Sequence, residues 1–503
     1  MWYTHFAVLL TLPFASSSVL NARNPTNCTS PPASEGSCQQ ACEALASKFP
    51  GRLHYKEDDT NFTIWDQKQL QTIYVCRVEP VSAEEVSQVL QVLVDNWCRF
   101  AVKCGGHSRF PDDSVSVGGV TIDLGLMNTT VVSDDHTSAS IGGGALTRQV
   151  FAALDPYGLA SVAGRVGQVG MGGFALGGGT SVLSAKHGWA LDSVLEYEIV
   201  LPNSTIATVS ENQHPDLYYA LRGGGNNFGI VTSFKMTVFP QGPVYTGSRT
   251  FGDDQTDRFL EEAERIFTLE DAEDTNIGLE YRYSYSAAQN RYTMSSTQRY
   301  AEPLLNPPVF DALNAIPALS NLTGGINSLA NSTSFSGPLG QTRNIFASLT
   351  HYPSVELGKQ AIEIFKNNIQ LLGNQTAVSP ELITYSIPAK AIERMKLRGG
   401  NALGIDIEGH LVVNLLSVSW TSNIDDGAAH TFASRFIASF QEAAEGLDVS
   451  HPFIYINYAN KGQDVFTGYG EENKQRLIAI QTDIDPLGVF TSSGLWRGFF
   501  KVR

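Results

Sequence analysis

The spacing of apolar side chains is most regular in Ser82–Trp97, which it predicts to be a helix. Six apolar residues recur there on one helix face: Val86, Val89, Leu90, Leu93, Val94 and Trp97. Ser82 and Glu85 have the spacing of a capping box, in which each side chain satisfies a free backbone N–H of the first turn. We expect this helix to bury its apolar face in a core.

Further apolar segments in the first half of the chain predict short strands and helices. The expected strands are Phe100–Lys103, Val120–Leu124, Ala139–Ile141 and Gly229–Phe239, with a hairpin formed by Glu196–Leu201 and Thr205–Val209. The expected helices are Thr147–Leu154 and Pro215–Leu221. These elements indicate a mixed unit of helices and strands.

The pattern changes at about Gly242, where longer helices alternate with strands. The predicted helices are Thr256–Phe267, Val355–Leu372 and Ala428–Ala444, and the predicted strands are Leu279–Tyr285 and Leu411–Trp420. In Leu279–Tyr285 one leucine and three tyrosines alternate with Glu, Arg and Ser, which is the period of a half-buried strand. The tyrosines either pack in the sheet or contact a substrate. Packing is favoured because aromatic residues are common in strands.

A short predicted strand stops abruptly at two glycines within Ala101–Ser108. Gly105 and Gly106 allow positive φ and remove the side chains that would keep a ligand away from the backbone. Successive N–H groups in such a turn form a concave site suited to a pyrophosphate. His107 follows directly, and it either lies beside that ligand or is an incidental surface histidine.

A second glycine-rich stretch, Gly164–Gly179, contains eight glycines in sixteen residues. It lacks the period of three that collagen requires, and the interleaved side chains of Val166, Val169 and Met171 argue against a flexible linker. A Rossmann motif is rejected because neither a helix opening nor the later acidic residue is clear. A backbone wrapped closely around an extended ligand explains both the glycines and the apolar residues.

Composition and charge exclude several classes of function. The chain has 503 residues, of which 42% are hydrophobic, enough for a large core divided between two domains. Its net charge of −16, without a cluster of Lys or Arg, argues against nucleic acids and anionic membranes as partners. The sequence shows no metal site, no Ser-His-Asp order and no P-loop.

The beginning of the chain predicts secretion. Phe6–Phe14 is an apolar run too short to span a bilayer, and Ala15–Ser18 follows it, as in a signal peptide cleaved near Ser17–Leu20. Seven Asn-x-Ser/Thr sequons are candidate glycosylation sites in a secreted chain: Asn27, Asn61, Asn128, Asn203, Asn321, Asn331 and Asn374.

The first 104 residues contain all six cysteines: Cys28, Cys38, Cys42, Cys76, Cys98 and Cys104. An even number in a secreted chain favours disulfides that staple this segment, with a connectivity that the sequence leaves open. Cys104 adjoins the glycine turn and is a candidate free thiol. Zinc is a poor alternative because no histidine has ligand spacing from a cysteine pair.

Four motifs in order resemble the FAD-linked oxidases of the vanillyl-alcohol oxidase superfamily, in the berberine-bridge-enzyme-like branch and of the secreted fungal type. They are Gly105–His107, Val169–Gly179, Arg222–Thr232 and Tyr455–Tyr458. The resemblance covers most of the chain. It implies an α+β fold class, with a two-part PCMH-type FAD-binding domain and an α+β substrate domain whose sheet is backed by helices.

The resemblance also implies a division of the chain. We expect a signal peptide at 1–20, a disulfide-rich segment at 21–71, the FAD-binding domain at 72–240 and the substrate domain at 241–450. Residues 451–503, with a helix around Glu472–Ile480, would return to the FAD-binding domain.

FAD is the cofactor that the resemblance implies, joined covalently to His107 through the flavin 8α-methyl group. The other residues implied to contact it are Gly105, Gly106, Ser108, Val169, Gly170, Gly173, Gly177, Gly178, Gly179, Ile230 and Asn457. Many relatives add a second bond from a cysteine, but that position aligns with Val166, so we expect a single linkage. Cys104 precedes the turn that carries His107, and its side chain is expected to point away from the flavin.

Tyr458 is the catalytic base that the resemblance implies, because it matches the second tyrosine of the last motif. A tyrosine can take a proton only where its surroundings favour the phenolate or relay the proton. The alternative is a packed aromatic ring whose hydroxyl caps a hydrogen bond. Met171 stands where relatives often carry a valine, beside the space in which oxygen would meet the reduced flavin.

The expected activity is FAD-dependent oxidation of a small alcohol, sugar, amine or specialised metabolite by hydride transfer, with O2 as the acceptor. One alternative is an oxidative cyclase or monooxygenase of secondary metabolism. A second alternative, of another class, is a glycosylated binding protein that keeps the fold without turnover. The sequence leaves the oligomeric state open.

Overall fold

A computed structural model describes residues 35–269, 274–333, 339–373 and 377–503. The predicted signal peptide, Asn27, Cys28 and Asn374 lie outside these residues. The described residues belong to one compact unit. None of the helices within the described ranges has the length and apolar character needed to cross a bilayer.

Helices are distributed over the whole described chain. They are α1 (Glu35–Lys48), α2 (Gln67–Leu70), α3 (Ala83–Asp95), α4 (Thr147–Leu154), α5 (Met171–Leu176), α6 (Ser184–His187), α7 (Ala190–Ser193), α8 (Pro215–Leu221), α9 (Thr256–Phe267), α10 (Asp311–Asn314), α11 (Leu329–Ser332), α12 (Val355–Ile369), α13 (Ala389–Met395), α14 (Asp426–Gly446), α15 (Val465–Gly468) and α16 (Glu471–Ile484).

The strands in the same ranges alternate with these helices. They are β1 (Leu53–Tyr55), β2 (Cys76–Val78), β3 (Phe100–Lys103), β4 (Val120–Asp123), β5 (Thr130–Val132), β6 (Ser138–Gly142), β7 (Leu159–Ala160), β8 (Val194–Val200), β9 (Ile206–Ser210), β10 (Ile230–Thr237), β11 (Phe239–Pro240), β12 (Val244–Gly252), β13 (Ile277–Ser286), β14 (Arg291–Tyr300), β15 (Thr323–Asn327), β16 (Arg343–His351), β17 (Ser379–Ile387), β18 (Leu411–Trp420) and β19 (Ser450–His451).

Up to residue 240 the described strands form two smaller sheets and the short antiparallel pair β7-β11, and after it they form one large sheet. The first sheet has the order β1-β2-β4-β3, with β4 parallel to both β2 and β3, and the second has the antiparallel order β5-β6-β10-β8-β9. The large antiparallel sheet has the order β15-β12-β14-β13-β17-β18-β16-β19. This mixed architecture confirms the α+β fold class.

The helix α3 forms as its apolar spacing predicts. Val86, Val89 and Leu90 are completely buried, and the Ser82 hydroxyl accepts a hydrogen bond from the Glu85 N–H at 3.3 Å. The other half of the predicted capping box differs. The Glu85 carboxylate accepts from the N–H of Val81, one residue before the cap, and pairs with Arg52.

The tyrosines of β13 pack against the helices behind the large sheet. Tyr281 and Tyr283 are buried, with their rings 5.5 Å from Phe259 of α9 and 5.4 Å from Phe365 of α12, respectively. The favoured interpretation, packing within the sheet, is therefore confirmed. Because side chains alternate along a strand, the polar residues between these tyrosines face the opposite way.

Two disulfides join α1 to the first sheet and its neighbouring loop. Cys38 is bonded to Cys98, and Cys42 is bonded to Cys76. Cys104 is free, as the sequence had suggested. No cluster of metal ligands occurs among the described residues.

Candidate active site

One large cavity lies between the glycine-rich loops and the large sheet. It contains about 1730 Å³ of space, counting its opening to solvent. Eleven of the predicted site residues line it: Gly105, Gly106, His107, Ser108, Val169, Gly170, Gly173, Gly177, Ile230, Asn457 and Tyr458. The tertiary structure thus brings together residues that are up to about 350 positions apart in the chain.

The two glycine-rich stretches meet backbone to backbone on the cavity wall. A Cβ atom added to Gly105 would lie 2.4 Å from the Gly170 nitrogen, and one added to Gly170 would lie 2.2 Å from the Gly105 nitrogen. Gly106 has a φ of +70°, which L side chains rarely adopt. Glycine is therefore required for close approach at two of these positions and for backbone conformation at the third.

His107 follows the turn and is held by an aromatic stack. Its ring lies 4.0 Å from the Trp65 ring, with 11° between the two planes. Burial, together with the nearby charge of Arg109, lowers the pKa of His107 to about 3. The imidazole is therefore neutral at physiological pH and faces the cavity.

Tyr455 and Asn457 secure the loop that precedes α15. The buried Tyr455 hydroxyl accepts hydrogen bonds from the N–H of Gly179 at 3.0 Å and from Nδ2 of Asn457 at 3.0 Å. Asn457 also donates to the Phe174 carbonyl at 3.1 Å. A Cβ atom on Gly177 would lie 2.3 Å from Oδ1 of Asn457, so this glycine permits the contact.

Three predicted residues do not line the cavity. Gly178 and Gly179 form a turn with positive φ one layer behind the wall, where Gly178 packs against Trp189. The absence of side chains at these two positions allows the turn and its close packing. Met171 is completely buried in the apolar core, although Gly170 and Gly172 on either side reach the cavity. Its role in oxygen access stays a prediction that this position does not support.

Tyr458 belongs to a hydrogen-bonded chain that the sequence did not predict. Nη2 of Arg165 donates to the Tyr458 hydroxyl oxygen at 2.6 Å, and Nη1 of the same guanidinium donates to Oε2 of Glu280. Burial alone would lower the pKa of Arg165, but the Tyr458 oxygen, Glu280 and Tyr385 raise it above its usual value. Arg165 therefore stays charged beside the tyrosine oxygen.

Glu280 lies in a group of arginines on the cavity face of the large sheet. Burial would raise its pKa, but Arg165, Arg282 and Arg299 outweigh burial and lower it to about 2. Arg282 donates to Oε1 of Glu280 from Nη2 at 2.8 Å. Glu280 is therefore ionised throughout the physiological range.

Neither Arg165 nor this group of arginines was predicted from the sequence, although the sequence carries a signal for both. Arg165 lies inside the glycine-rich stretch that was predicted to surround a ligand. Glu280 and Arg282 alternate with the tyrosines of β13, so packing of the tyrosines against helices directs both charges to the opposite face.

Cys104 and Val166 bear on the number of covalent bonds to a flavin. Both line the cavity, and the Cys104 sulfur packs against Gly172, where an added Cβ would lie 2.4 Å from it. Burial raises the pKa of the Cys104 thiol to about 11. A protonated thiol is a poor nucleophile.

The residues present fit FAD. The cavity is open to solvent, and the touching backbones of Gly105 and Gly170 form part of its wall without side chains. Two buried polar atoms of lining residues, Nε of Arg109 and Oδ1 of Asn226, have no hydrogen-bond partner within the described ranges. Such atoms are costly unless a ligand satisfies them.

The fold and this cavity define an FAD-dependent oxidoreductase, and comparison with known proteins agrees. Residues 75–210 match the family model of an FAD binding domain. The chain is 31% identical over 491 residues to the FAD-dependent monooxygenase tpcD of Cochliobolus heterostrophus, covering 91% of this chain and 93% of that one. It is 27% identical over 490 residues to the bifunctional solanapyrone synthase of Alternaria solani, covering 96% and 93%.

A solved structure shares the fold. Glucooligosaccharide oxidase from Acremonium strictum, with a 6-S-cysteinyl, 8α-N1-histidyl FAD, superposes with a TM-score of 0.71 at 19% identity, covering 93% of this chain and 99% of that one. The chain belongs to the family of FAD-dependent monooxygenases that tpcD represents, and it shares its fold with the FAD-linked glucooligosaccharide oxidase.

Proposed function

We propose that the protein oxidises a small molecule held between the glycine-rich loops and the large sheet, with Tyr458 as the base and O2 as the final acceptor. FAD, when bound in the cavity, supplies the hydride acceptor. The observation that carries this proposal is the hydrogen bond from the charged Arg165 to the Tyr458 oxygen.

That hydrogen bond suits a residue that takes a proton. Arginine has only donors, so the Tyr458 oxygen is the acceptor in it. The positive charge of Arg165 stabilises negative charge on that oxygen, and Glu280 holds the guanidinium in place. The Tyr458 ring is also fixed, by edge-to-face contacts with Tyr455 at 4.7 Å and Tyr385 at 6.3 Å.

We also propose that His107 is the single covalent attachment point of the flavin. A neutral imidazole keeps the nitrogen lone pair that such a bond needs, and burial keeps His107 neutral. The glucooligosaccharide oxidase has a histidyl and a cysteinyl linkage. Here Val166 has no sulfur, and partial burial raises the pKa of the Cys104 thiol.

An oxidative cyclase or monooxygenase of secondary metabolism remains the second candidate. The names of the curated relatives, FAD-dependent monooxygenase and solanapyrone synthase, favour it. Both candidates use the same flavin site, and they differ in what becomes of the oxidised product.

Secretion and glycosylation are proposed as well. Two disulfides among the described residues are typical of an oxidising compartment. Asn61, Asn203, Asn321 and Asn331 are exposed and could accept glycans. Asn128 is a poorer acceptor, since its Nδ2 donates to the Gly125 carbonyl at 2.8 Å.

Replacing the tyrosine hydroxyl tests the proposed base. Tyr458→Phe should slow anaerobic flavin reduction by about 10²–10⁴-fold, the usual contribution of general acid–base catalysis, with FAD still bound. The substrate would first be found by flavin bleaching against alcohols, sugars, amines and phenolic metabolites, and air would then be admitted to measure reoxidation.

Tyr385→Phe is the matched control, because its ring lies 4.2 Å from the same Arg165 guanidinium but does not line the cavity. It should change the reduction rate by less than about threefold. A Tyr458→Phe rate within about threefold of the wild type would remove Tyr458 from the mechanism.

A further inference from the structure

The charged residues on the cavity wall are strongly unbalanced. Among the described lining residues, four arginines face a single carboxylate: Arg109, Arg165, Arg282 and Arg299 against Glu280. Two of these arginines have hydrogen-bond partners on the protein. Arg109 donates to the carbonyls of Asn457 and Ala459, and Arg165 bonds Tyr458 and Glu280.

Arg282 has its carboxylate partners within the sheet. It bonds Oε1 of Glu280, and its Nη1 lies 3.9 Å from Oε2 of Glu381. Its side chain is 41% exposed, which places it toward the open end of the cavity. Its outer guanidinium edge can still contact a ligand.

Arg299 differs from the other three. It lies on β14 opposite Gly278 of β13, in the strand pair that carries Glu280. Only charge–charge interactions, with Glu280, Arg165 and Arg282, reach its guanidinium group from the described residues, and none of them gives that group a hydrogen bond. Burial, partly offset by Glu280, lowers the pKa of Arg299 to about 10, so it is still charged. A charged guanidinium that lines the cavity without a hydrogen-bond partner among the described residues is available to an anionic ligand.

We propose that Arg299, assisted by Arg282, binds a carboxylate on the substrate, so that the enzyme acts on an organic acid with its oxidisable carbon directed toward Tyr458. Guanidinium groups bind planar carboxylates in pairs of parallel hydrogen bonds. The pyrophosphate of FAD is assigned to the glycine turn at Gly105, on the opposite wall. This proposal rests on the proposed function, because it assumes that the cavity holds the substrate.

Binding of a simple acid to the flavin-loaded protein tests the subsite without turnover. Benzoate and its neutral analogue benzamide would be titrated at pH 7, with the flavin absorption spectrum and calorimetry as readouts. Benzoate should bind at least about tenfold more tightly than benzamide, and Arg299→Gln should abolish that difference by weakening only benzoate. Arg299→Lys keeps the positive charge without the planar guanidinium, so it should retain part of the preference for benzoate.

Arg291→Gln is the control, because Arg291 is exposed at the start of the same strand and outside the cavity. It should bind both probes as the wild type does. Flavin content and Tm identify a variant that fails to fold. If Arg299→Gln fails to fold, the affinities of Arg299→Lys for benzoate and benzamide decide whether the subsite exists. Equal affinities for the two probes in the wild type, or an unchanged preference in a folded Arg299 variant, would overturn the subsite.

The outcomes for the subsite and for the base are separable. A preference for benzoate, together with an unchanged rate of flavin reduction in Tyr458→Phe, would overturn Tyr458 as the base and support the carboxylate subsite. Loss of flavin reduction in Tyr458→Phe without any benzoate preference would support the base and overturn the subsite.

Discussion

His107 combines three properties that a flavin attachment point needs. It follows the glycine turn, it is neutral because burial lowers its pKa to about 3, and the Trp65 ring stacked on it at 4.0 Å limits its orientation. A ring held in one orientation loses little conformational freedom when a covalent bond forms.

Removing the imidazole tests the covalent link. The wild-type protein should keep its yellow colour after denaturation, whereas His107→Ala should release its flavin into the supernatant. Peptide mapping of the wild type should find flavin on the His107 peptide alone, joined through nitrogen.

Cys104 supplies the critical comparison for this mapping. Cys104→Ser should leave the linkage unchanged, because the thiol packs on Gly172 and is held protonated. A flavin–cysteine thioether, or free flavin from the denatured wild type, would contradict a single bond through His107.

At the scale of elements, the end of α5 positions the residues that surround the flavin site. Gly177 follows the helix directly, and Asn457 packs where a side chain at Gly177 would stand. Asn457 in turn bonds Tyr455, which receives the N–H of Gly179. The absence of a side chain at Gly177 therefore allows the C-terminal loop to pack against the end of α5.

A single methyl group tests this fit. Gly177→Ala places a Cβ 2.3 Å from Oδ1 of Asn457 and 2.8 Å from Cγ2 of Ile456, so one of the two segments must move. We expect a loss of about 1–3 kcal/mol in stability, typical of overpacking, together with weaker FAD retention. Thermal unfolding and flavin content after dialysis measure both effects.

Gly427→Ala in α14 serves as its control, because nothing lies within 4 Å of the added Cβ. It should be neutral or slightly stabilising, as alanine favours helices. An unchanged Tm in Gly177→Ala would show that Asn457 adapts without cost.

At the scale of the molecule, distant segments are joined by a few buried polar links. Arg222, completely buried, pairs with Asp192 at 3.1 Å and donates to the Arg398 carbonyl at 2.8 Å. Asp66 accepts hydrogen bonds from the N–H and Nδ2 of Asn344 and so fastens the N-terminal part to the large sheet. The first link joins α7, the end of α8 and the segment after α13, and the second joins the N-terminal part to β16.

The disulfides add a covalent constraint of the same kind. Replacing Cys42 and Cys76 together by serine opens a loop of 34 residues. The free energy of unfolding should fall by about 2–5 kcal/mol, chiefly because the unfolded chain regains freedom. Denaturant unfolding of the variant and of the wild type with and without reductant measures it. Equal midpoints for all three samples would show that the bridge contributes nothing.

Local pattern was sufficient for many elements. β3, α4, α8, α9 and β18 have the predicted bounds, and α3 differs only at its ends. Their apolar residues repeat with the period of the element, so the signal lies within a few neighbouring positions. The glycine turn and His107 were identified for the same reason, since close backbone approach leaves a direct trace in composition.

Sequence by itself determined the glycine-rich walls and many of the strands and helices, and the family resemblance indicated the tyrosine that lines the cavity. Only the tertiary structure decided what that tyrosine touches. Arg165, Glu280 and Arg299 come from three separate segments, and their interaction depends on which face of β13 and β14 turns toward the cavity. Charges interact according to their distance in space, whereas an amphipathic pattern specifies only the burial of each residue. The group of arginines therefore depends on how the large sheet packs over the glycine-rich loops.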